Sequence, residues 1–169
     1  MWAGAISLFM VELAHAHLMV AQHGTLNILD DRVFMVLSLP ISAFEGIDDD
    51  SDGRVSMIEF NLHRASIVET IKKEVRLSDE FGECSLRDIM LSPVLPHDAS
   101  SESLYQLAVM GKFTLDNPKS LLRFHSGLYG KQAAEKILEI TATKKSVEQK
   151  HVFELTPIAS AVVLFRDNE

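Results

Sequence analysis

The sequence of 169 residues contains a single cysteine, Cys84, so no disulfide can form within it. We expect this thiol to be buried and inert, the alternative being a redox or metal-binding role. Basic residues are also scarce, because 16 lysines and arginines stand against 24 acidic residues and give a net charge of −8. Without a basic cluster to bind phosphates, nucleic acid is not an expected partner.

Catalytic motifs are absent as well. The sequence has no G-x-S-x-G elbow and no H-E-x-x-H zinc motif, and no histidine stands at a patterned distance from Cys84. The carboxylates outside one acidic stretch are scattered along the chain, so they do not suggest an acid–base pair. We therefore predict that the protein is not an enzyme.

Long apolar runs are confined to the N-terminus. Residues 2–11 are mostly apolar, and Ala14-His15-Ala16 matches the A-x-A pattern that precedes signal-peptide cleavage. We predict a signal peptide over residues 1–16, too short to span a bilayer, and a periplasmic or secreted mature chain that begins at His17. A buried first strand or helix is the alternative. No later segment of the sequence is apolar over the length that crosses a membrane.

Most segments after residue 16 show the composition and the period-two alternation of β-strands. Residues 17–29 and 32–41 form two such segments, separated by Asp30-Asp31, and Pro40 ends the second because it has no N–H to donate. In residues 104–115 the alternation places Leu107 inward and Gln106 outward. Further alternating segments are residues 121–129, 136–143, 151–156 and 160–166. The pattern predicts a mainly β fold, an antiparallel, immunoglobulin-like β-sandwich formed by one domain over residues 17–169.

One segment has helical rather than strand periodicity. In residues 57–75 the apolar side chains fall near one helical stripe, and neither proline nor glycine interrupts them. We predict one α-helix there, as part of an insertion over residues 48–75 that packs on one end or side of the sandwich. Residues 92–103 are expected to form a loop.

The acidic stretch over residues 48–59 reads DDDSDGRVSMIE and matches a calcium-binding EF-hand loop. Such a loop supplies oxygen ligands from places 1, 3, 5, 7, 9 and 12, with glycine at place 6. With Gly53 at place 6, every ligand place is filled by a suitable residue. The predicted calcium ligands are Asp48, Asp50, Asp52, the backbone carbonyl of Arg54, Ser56 and Glu59.

The residue types suit this ion. Ca²⁺ takes about six to eight oxygens, and carboxylates crowded together repel one another unless a cation lies among them. Ser56 and Glu59 also form an S-x-x-E capping box for the helix that follows, and Val55 is an apolar anchor at place 8. The alternative is an acidic surface turn that caps the helix without a metal.

Only one such loop is present, although EF-hands usually occur in pairs. The residues before it contain a strand, Pro40 and Gly46, which leave room for one helical turn at most. A single loop cannot open as a paired sensor does. We therefore expect a structural calcium ion in a strand–loop–helix site, where it fixes how the helix leaves the sandwich.

The histidines offer a second candidate metal site. If His17 is the first residue of the mature chain, its amine and imidazole nitrogens suit Cu²⁺. The sequence HAHL at residues 15–18 resembles the mature start of CopC-type periplasmic copper carriers. Those carriers complete their site with an Asp-x-His pair, which this sequence lacks, so His125 or His97 would have to replace it. A periplasmic copper-binding protein is thus the alternative function.

The order of the segments carries a further resemblance. An apolar leader, H-x-H-L, two strands, the acidic loop, a helix and more strands resemble the extracytoplasmic N-terminal region of HupE/UreJ-type membrane proteins. The likeness is specific at the residue level only in the calcium loop. It implies an extracytoplasmic calcium-binding accessory module, with a membrane or cell-envelope protein as its partner.

Overall fold

A computed structural model describes residues 22–95 and 103–166 of the chain. β-Strands dominate these residues, which confirms the predicted mainly β class. The predicted signal peptide, His17 and His97 lie outside the described residues. No helix within the described residues has both the length and the apolarity to cross a membrane.

The secondary structure comprises twelve strands and one α-helix within the described ranges. The strands are β1 (His23–Leu29), β2 (Arg32–Pro40), β3 (Val55–Ser56), β4 (Val75–Asp79), β5 (Gly82–Cys84), β6 (Leu86–Val94), β7 (Ser103–Leu104), β8 (Gln106–Thr114), β9 (Arg123–Ser126), β10 (Leu138–Lys144), β11 (Gln149–Leu155) and β12 (Ala161–Val163). The helix α1 spans Met57–Glu74, and short 3₁₀ turns span Ile41–Ala43, Ala133–Lys136 and Lys145–Val147.

The strands form three sheets. A six-stranded sheet has the order β11-β10-β1-β2-β8-β6, a four-stranded sheet has the order β12-β9-β4-β5, and β3 pairs with β7. Neighbouring strands are antiparallel except β1 and β10, which run parallel with His23 opposite Glu139. The six-stranded sheet is therefore mixed rather than wholly antiparallel. More than a hundred residues separate the two strands, so no hairpin connection constrains their direction.

The first hairpin forms as the sequence predicts. β1 and β2 are joined by Asp30 and Asp31, and Asp30 adopts a φ of +52°, which aspartate tolerates better than most residues. Leu26 and Met35 face each other across the pair and are almost fully buried. β2 ends at Pro40, as expected.

One hydrophobic cluster contains buried side chains from both larger sheets and from α1. The six-stranded sheet contributes Leu37 and Leu107, the four-stranded sheet contributes Leu77 and Phe124, and α1 contributes Phe60. The helix begins at Met57, as predicted, and ends at Glu74, one residue before the predicted end, where the chain runs directly into β4 at Val75. Its buried face therefore shares the core of the strands.

Three expectations for the later segments differ from the structure. The expected loop over residues 92–103 begins inside β6, which continues to Val94 and includes Pro93. β6 tolerates this proline because it is an edge strand, paired only with β8. The strands β4, β5 and β6 were not predicted, and a bulge between Arg87 and Met90 breaks the alternation in β6. Gln106 is buried rather than exposed, and its amide nitrogen donates to the hydroxyl of Ser38.

Candidate metal centre

The acidic loop is fixed at both ends by buried apolar side chains. Ile47 precedes it and is 3% exposed, and Val55 follows its turn and is 6% exposed. Val55 thus takes the anchoring role that the sequence predicts for place 8. Between these anchors the chain passes over the surface, so the carboxylates of Asp50 and Asp52 face water.

The carboxylates of Asp48, Asp50 and Asp52 converge. One oxygen from each lies within 4.8 Å of the others, the only such group of three metal-ligating side chains within residues 22–95 and 103–166. Asp48 is half-buried, whereas Asp50 and Asp52 are exposed. The structure therefore brings together the side chains at places 1, 3 and 5.

Hydrogen bonds to backbone amides hold these three carboxylates in place. Asp48 Oδ2 accepts from the N–H of Gly53 at 3.0 Å. Asp50 Oδ1 accepts from the N–H of Asp52 at 3.1 Å, and Asp52 Oδ1 accepts from the N–H of Arg54 at 2.7 Å. The last two are local turns in which aspartate binds an amide two residues on. Gly53 has a φ of +81°, which a residue with a β-carbon resists.

Among the side chains of the loop, the second oxygen of Asp48 is the one buried polar atom without a hydrogen-bond partner. Its Oδ1 is shielded from solvent and accepts no hydrogen bond within the described residues. A carboxylate oxygen that is removed from water without a partner is unfavourable. A cation among the three carboxylates would satisfy it.

Glu59, the predicted bidentate ligand at place 12, is held by several hydrogen bonds in this structure. Its Oε1 accepts from the N–H of Asp49 at 2.8 Å, and its Oε2 accepts from both the N–H and the hydroxyl of Ser56, each at 2.8 Å. The bonds from Ser56, backbone first, and then from Asp49 lower the pKa of Glu59 to about 2. Glu59 is therefore ionised at neutral pH and already turned toward the loop.

Ser56 and Glu59 form the capping box at the start of α1. The Ser56 hydroxyl accepts from the N–H of Glu59 at 3.3 Å, while the Glu59 carboxylate binds the N–H of Ser56. The capping role predicted for these two side chains is therefore confirmed, whereas their role as calcium ligands stays a prediction. Arg54 at place 7 is exposed, so its side chain does not obstruct the loop.

Two contacts of the loop were missed by sequence reasoning. The strand β3 pairs with β7, with Val55 opposite Leu104, and nothing in the sequence near residue 104 indicates this partner. On α1, His63 Nε2 lies 2.8 Å from Asp49 Oδ1. The sequence does contain a signal for this contact. His63 lies four residues after Glu59, so both side chains are on the same face of the helix, next to the loop.

The remaining candidate residues do not join the loop. His125 lies on β9, where its Nδ1 is 3.2 Å from the hydroxyl of Ser160. Burial first, and then the charge of Arg76, lowers the pKa of His125. No histidine within the described residues belongs to a metal-ligating group of three, and His17 lies outside them, so the copper site stays a prediction.

Cys84 is partly rather than fully buried, on β5. Burial, followed by the charges of Asp79 and Asp116, raises the pKa of its thiol to about 11. The thiol therefore remains protonated at neutral pH and is a poor nucleophile and metal ligand. The expected inert role stays a prediction.

No protein-family model matches the chain, and no curated protein matches it significantly. Function is therefore inferred from the chemistry of the acidic loop. The resemblance to HupE/UreJ-type proteins stays a prediction.

Proposed function

We propose that residues 48–59 bind one Ca²⁺ ion and that the protein is an extracytoplasmic calcium-binding accessory module. The proposed ligands are Asp48, Asp50, Asp52, the carbonyl of Arg54, Ser56 and Glu59. The observation that carries the proposal is the convergence of one oxygen from each of three aspartates within 4.8 Å. The second oxygen of one of them, Asp48, is buried and has no hydrogen-bond partner.

Calcium fits this set of donors better than other common ions. All six ligands offer oxygen, whereas zinc and copper sites use sulfur or imidazole nitrogen. Magnesium requires near-ideal octahedral geometry and keeps several waters, while calcium accepts a flexible loop with a bidentate carboxylate. The imidazole of His63 contacts Asp49, which is not among the proposed ligands.

The ion would need only a local rearrangement. Asp48, Asp50 and Asp52 are already gathered, whereas Glu59 is engaged with Ser56 and Asp49. For bidentate binding, the Glu59 carboxylate would exchange its bonds from the Asp49 N–H and the Ser56 hydroxyl for the cation. The carboxylate would lose hydrogen bonds from neutral donors and gain a divalent cation, so the exchange is favourable on electrostatic grounds.

The ion is proposed to be structural. The loop leads directly into the capping box, so a bound ion fixes the first turn of α1. Its strand β3 pairs with β7 of the same chain rather than with a second loop. In a two-loop sensor this short strand would pair with the second loop, but here β7 occupies that position. The fully buried side chain of Phe60 fixes the helix against the core.

We propose further that the two larger sheets pack face to face as an immunoglobulin-like sandwich, since their buried side chains share one cluster. The extracytoplasmic location is supported by the A-x-A pattern of residues 14–16 and by the resemblance to HupE/UreJ-type regions. That resemblance also supports a membrane or cell-envelope protein as the partner.

Hydrogen exchange on the full chain, with and without millimolar Ca²⁺, tests the structural role. We expect slower exchange at the amides of Gly53 and Arg54 and in the first turn of α1, with little change in β1 and β2. Glu59→Ala should abolish the slowing, while Asp49→Asn, which removes a charge of the same loop outside the ligand set, should retain it. Equal slowing throughout the sheets, or none in the loop, would overturn the proposal.

A further inference from the structure

The outer face of the six-stranded sheet, opposite the core, carries three cross-strand rows of side chains. Successive residues of a strand point to opposite faces, so the strand register places every second residue on this face. The central row is uncharged from one edge to the other: Val152, Thr141, Thr25, Val36, Met110 and Met90.

The central row is open to solvent at both edges of the sheet. Met90 on β6 is 58% exposed and Val152 on β11 is 50% exposed, and Phe34 beside the row is 40% exposed. Partly exposed and uncharged residues connect these edges, and an apolar surface patch of this kind marks an interaction site more often than scattered apolar residues do.

Charges of opposite sign flank the central row. On one side lie Glu154 and Glu139 of β11 and β10. On the other side lie Lys150 of β11 and the pair Lys112 and Arg87 of β8 and β6. Lys112 forms an ion pair with Asp88 of β6, so the positive charge of this flank comes mainly from Lys150 and Arg87.

We propose that a second copy of this chain packs against this outer face, about a two-fold axis that runs along the central row. Such a rotation places the central row of one copy against the central row of the second copy, as an isologous interface requires. It also exchanges the two flanks, so that Lys150 of one copy faces Glu154 of the second copy, twice in each dimer.

The other in-plane two-fold axis, parallel to the strands, is unfavourable. It would lay β11 of one copy over β6 of the second and retain each flank on its own side. Lys150 would then face Arg87 of the second copy, again twice, and like charges across an interface are costly. The distribution of charge therefore selects the first arrangement.

The dimensions of the sheet set the expected affinity. Six strands and three rows cover at most about 25 Å by 20 Å, or on the order of 500 Å² on each copy, and less around Ser38, which is already fully buried in the row of Glu154 and Glu139. The total of about 1,000 Å² is near the lower limit for a specific interface. We therefore expect a weak dimer, with a dissociation constant in the micromolar range or above.

Sedimentation equilibrium of the full chain over a range of concentrations tests the proposal. We expect the mass to rise from one chain to two with concentration. Val152→Glu places two carboxylates against each other at the axis and should weaken association at least tenfold. Ile158→Glu, which adds the same charge at a residue that is 99% exposed in the turn after β11, should leave association unchanged.

A charge exchange distinguishes this arrangement from other dimers. Lys150→Glu should weaken association, and Lys150→Glu combined with Glu154→Lys should restore it, because the facing pairs are then reversed but still opposite. Lys73→Glu on α1, which packs on the core side of the sheet, is the matched control away from the face. A chain that stays monomeric, whether the face is open or covered by residues outside the described ranges, overturns the proposal. So does a dimer that the double exchange fails to restore.

Discussion

Replacement of Asp50 by asparagine separates the charge of the acidic loop from its shape. Asp50 is exposed, and the only described hydrogen bond of its side chain is accepted by Oδ1 from the N–H of Asp52 at 3.1 Å. The amide oxygen of asparagine can accept the same bond, so the local turn is kept. What is lost is one of three negative charges that lie within 4.8 Å of one another.

The two effects of this change have opposite signs. Two unit charges at this spacing repel by about 0.9 kcal/mol in a medium with the dielectric constant of water, and Asp50 belongs to two of the three pairs. Without metal, Asp50→Asn should therefore raise the free energy of unfolding by up to about 2 kcal/mol, less where salt screens the charges. With calcium at about a hundredfold its dissociation constant, the free energy of unfolding of the unaltered chain rises by about 2.7 kcal/mol. Asp50→Asn should lose most of this rise, because it lacks one ligand charge.

Urea unfolding at constant ionic strength, in a chelator and then in excess Ca²⁺, measures both effects. We expect the variant to be the more stable protein in the chelator and the less stable protein in calcium. Asp49→Asn is the matched control, because it removes one charge from the loop without removing a ligand, and its gain from calcium should remain close to that of the unaltered chain. The reasoning is refuted if Asp50→Asn gains as much from calcium as the control.

Two further predictions concern the start of α1. Ser56→Ala removes the N-cap side chain and should lower the free energy of unfolding by about 1 kcal/mol, as measured by urea unfolding in a chelator; an unchanged midpoint would contradict the capping role. Because hydrogen bonds lower the pKa of Glu59 from 4.5 to about 2, its contribution to stability is present above pH 4.5 and lost as pH falls toward 2. Thermal unfolding across that range should show a smaller fall in melting temperature for Glu59→Gln than for the unaltered chain, and parallel curves would count against the assignment.

The features that the sequence predicts well are set by neighbouring residues. The capping box, the position of Gly53 and the spacing of the aspartates lie within twelve residues, so the geometry of the loop depends little on the rest of the fold. The helix and the β1–β2 hairpin are likewise local. The capping box starts the helix, and Asp30-Asp31 forms the turn of the hairpin.

The features that the sequence does not predict depend on distant pairing. The parallel contact of β1 with β10 and the pairing of Val55 with Leu104 join segments with no shared signal. The bulge in β6 hides its alternation, because it shifts the register between Arg87 and Met90. For Glu59, the pattern identifies the residue and its capping bonds with Ser56, but not the hydrogen bond that it accepts from the N–H of Asp49.

Isothermal titration of Ca²⁺ into the full, metal-free chain measures whether residues 48–59 bind the ion. We expect saturable binding with one ion per chain, retained in Asp49→Asn and lost in the combined variant Asp48→Asn and Glu59→Gln. A chain that shows no saturable heat with Ca²⁺, or a combined variant that binds as the unaltered chain does, would contradict it.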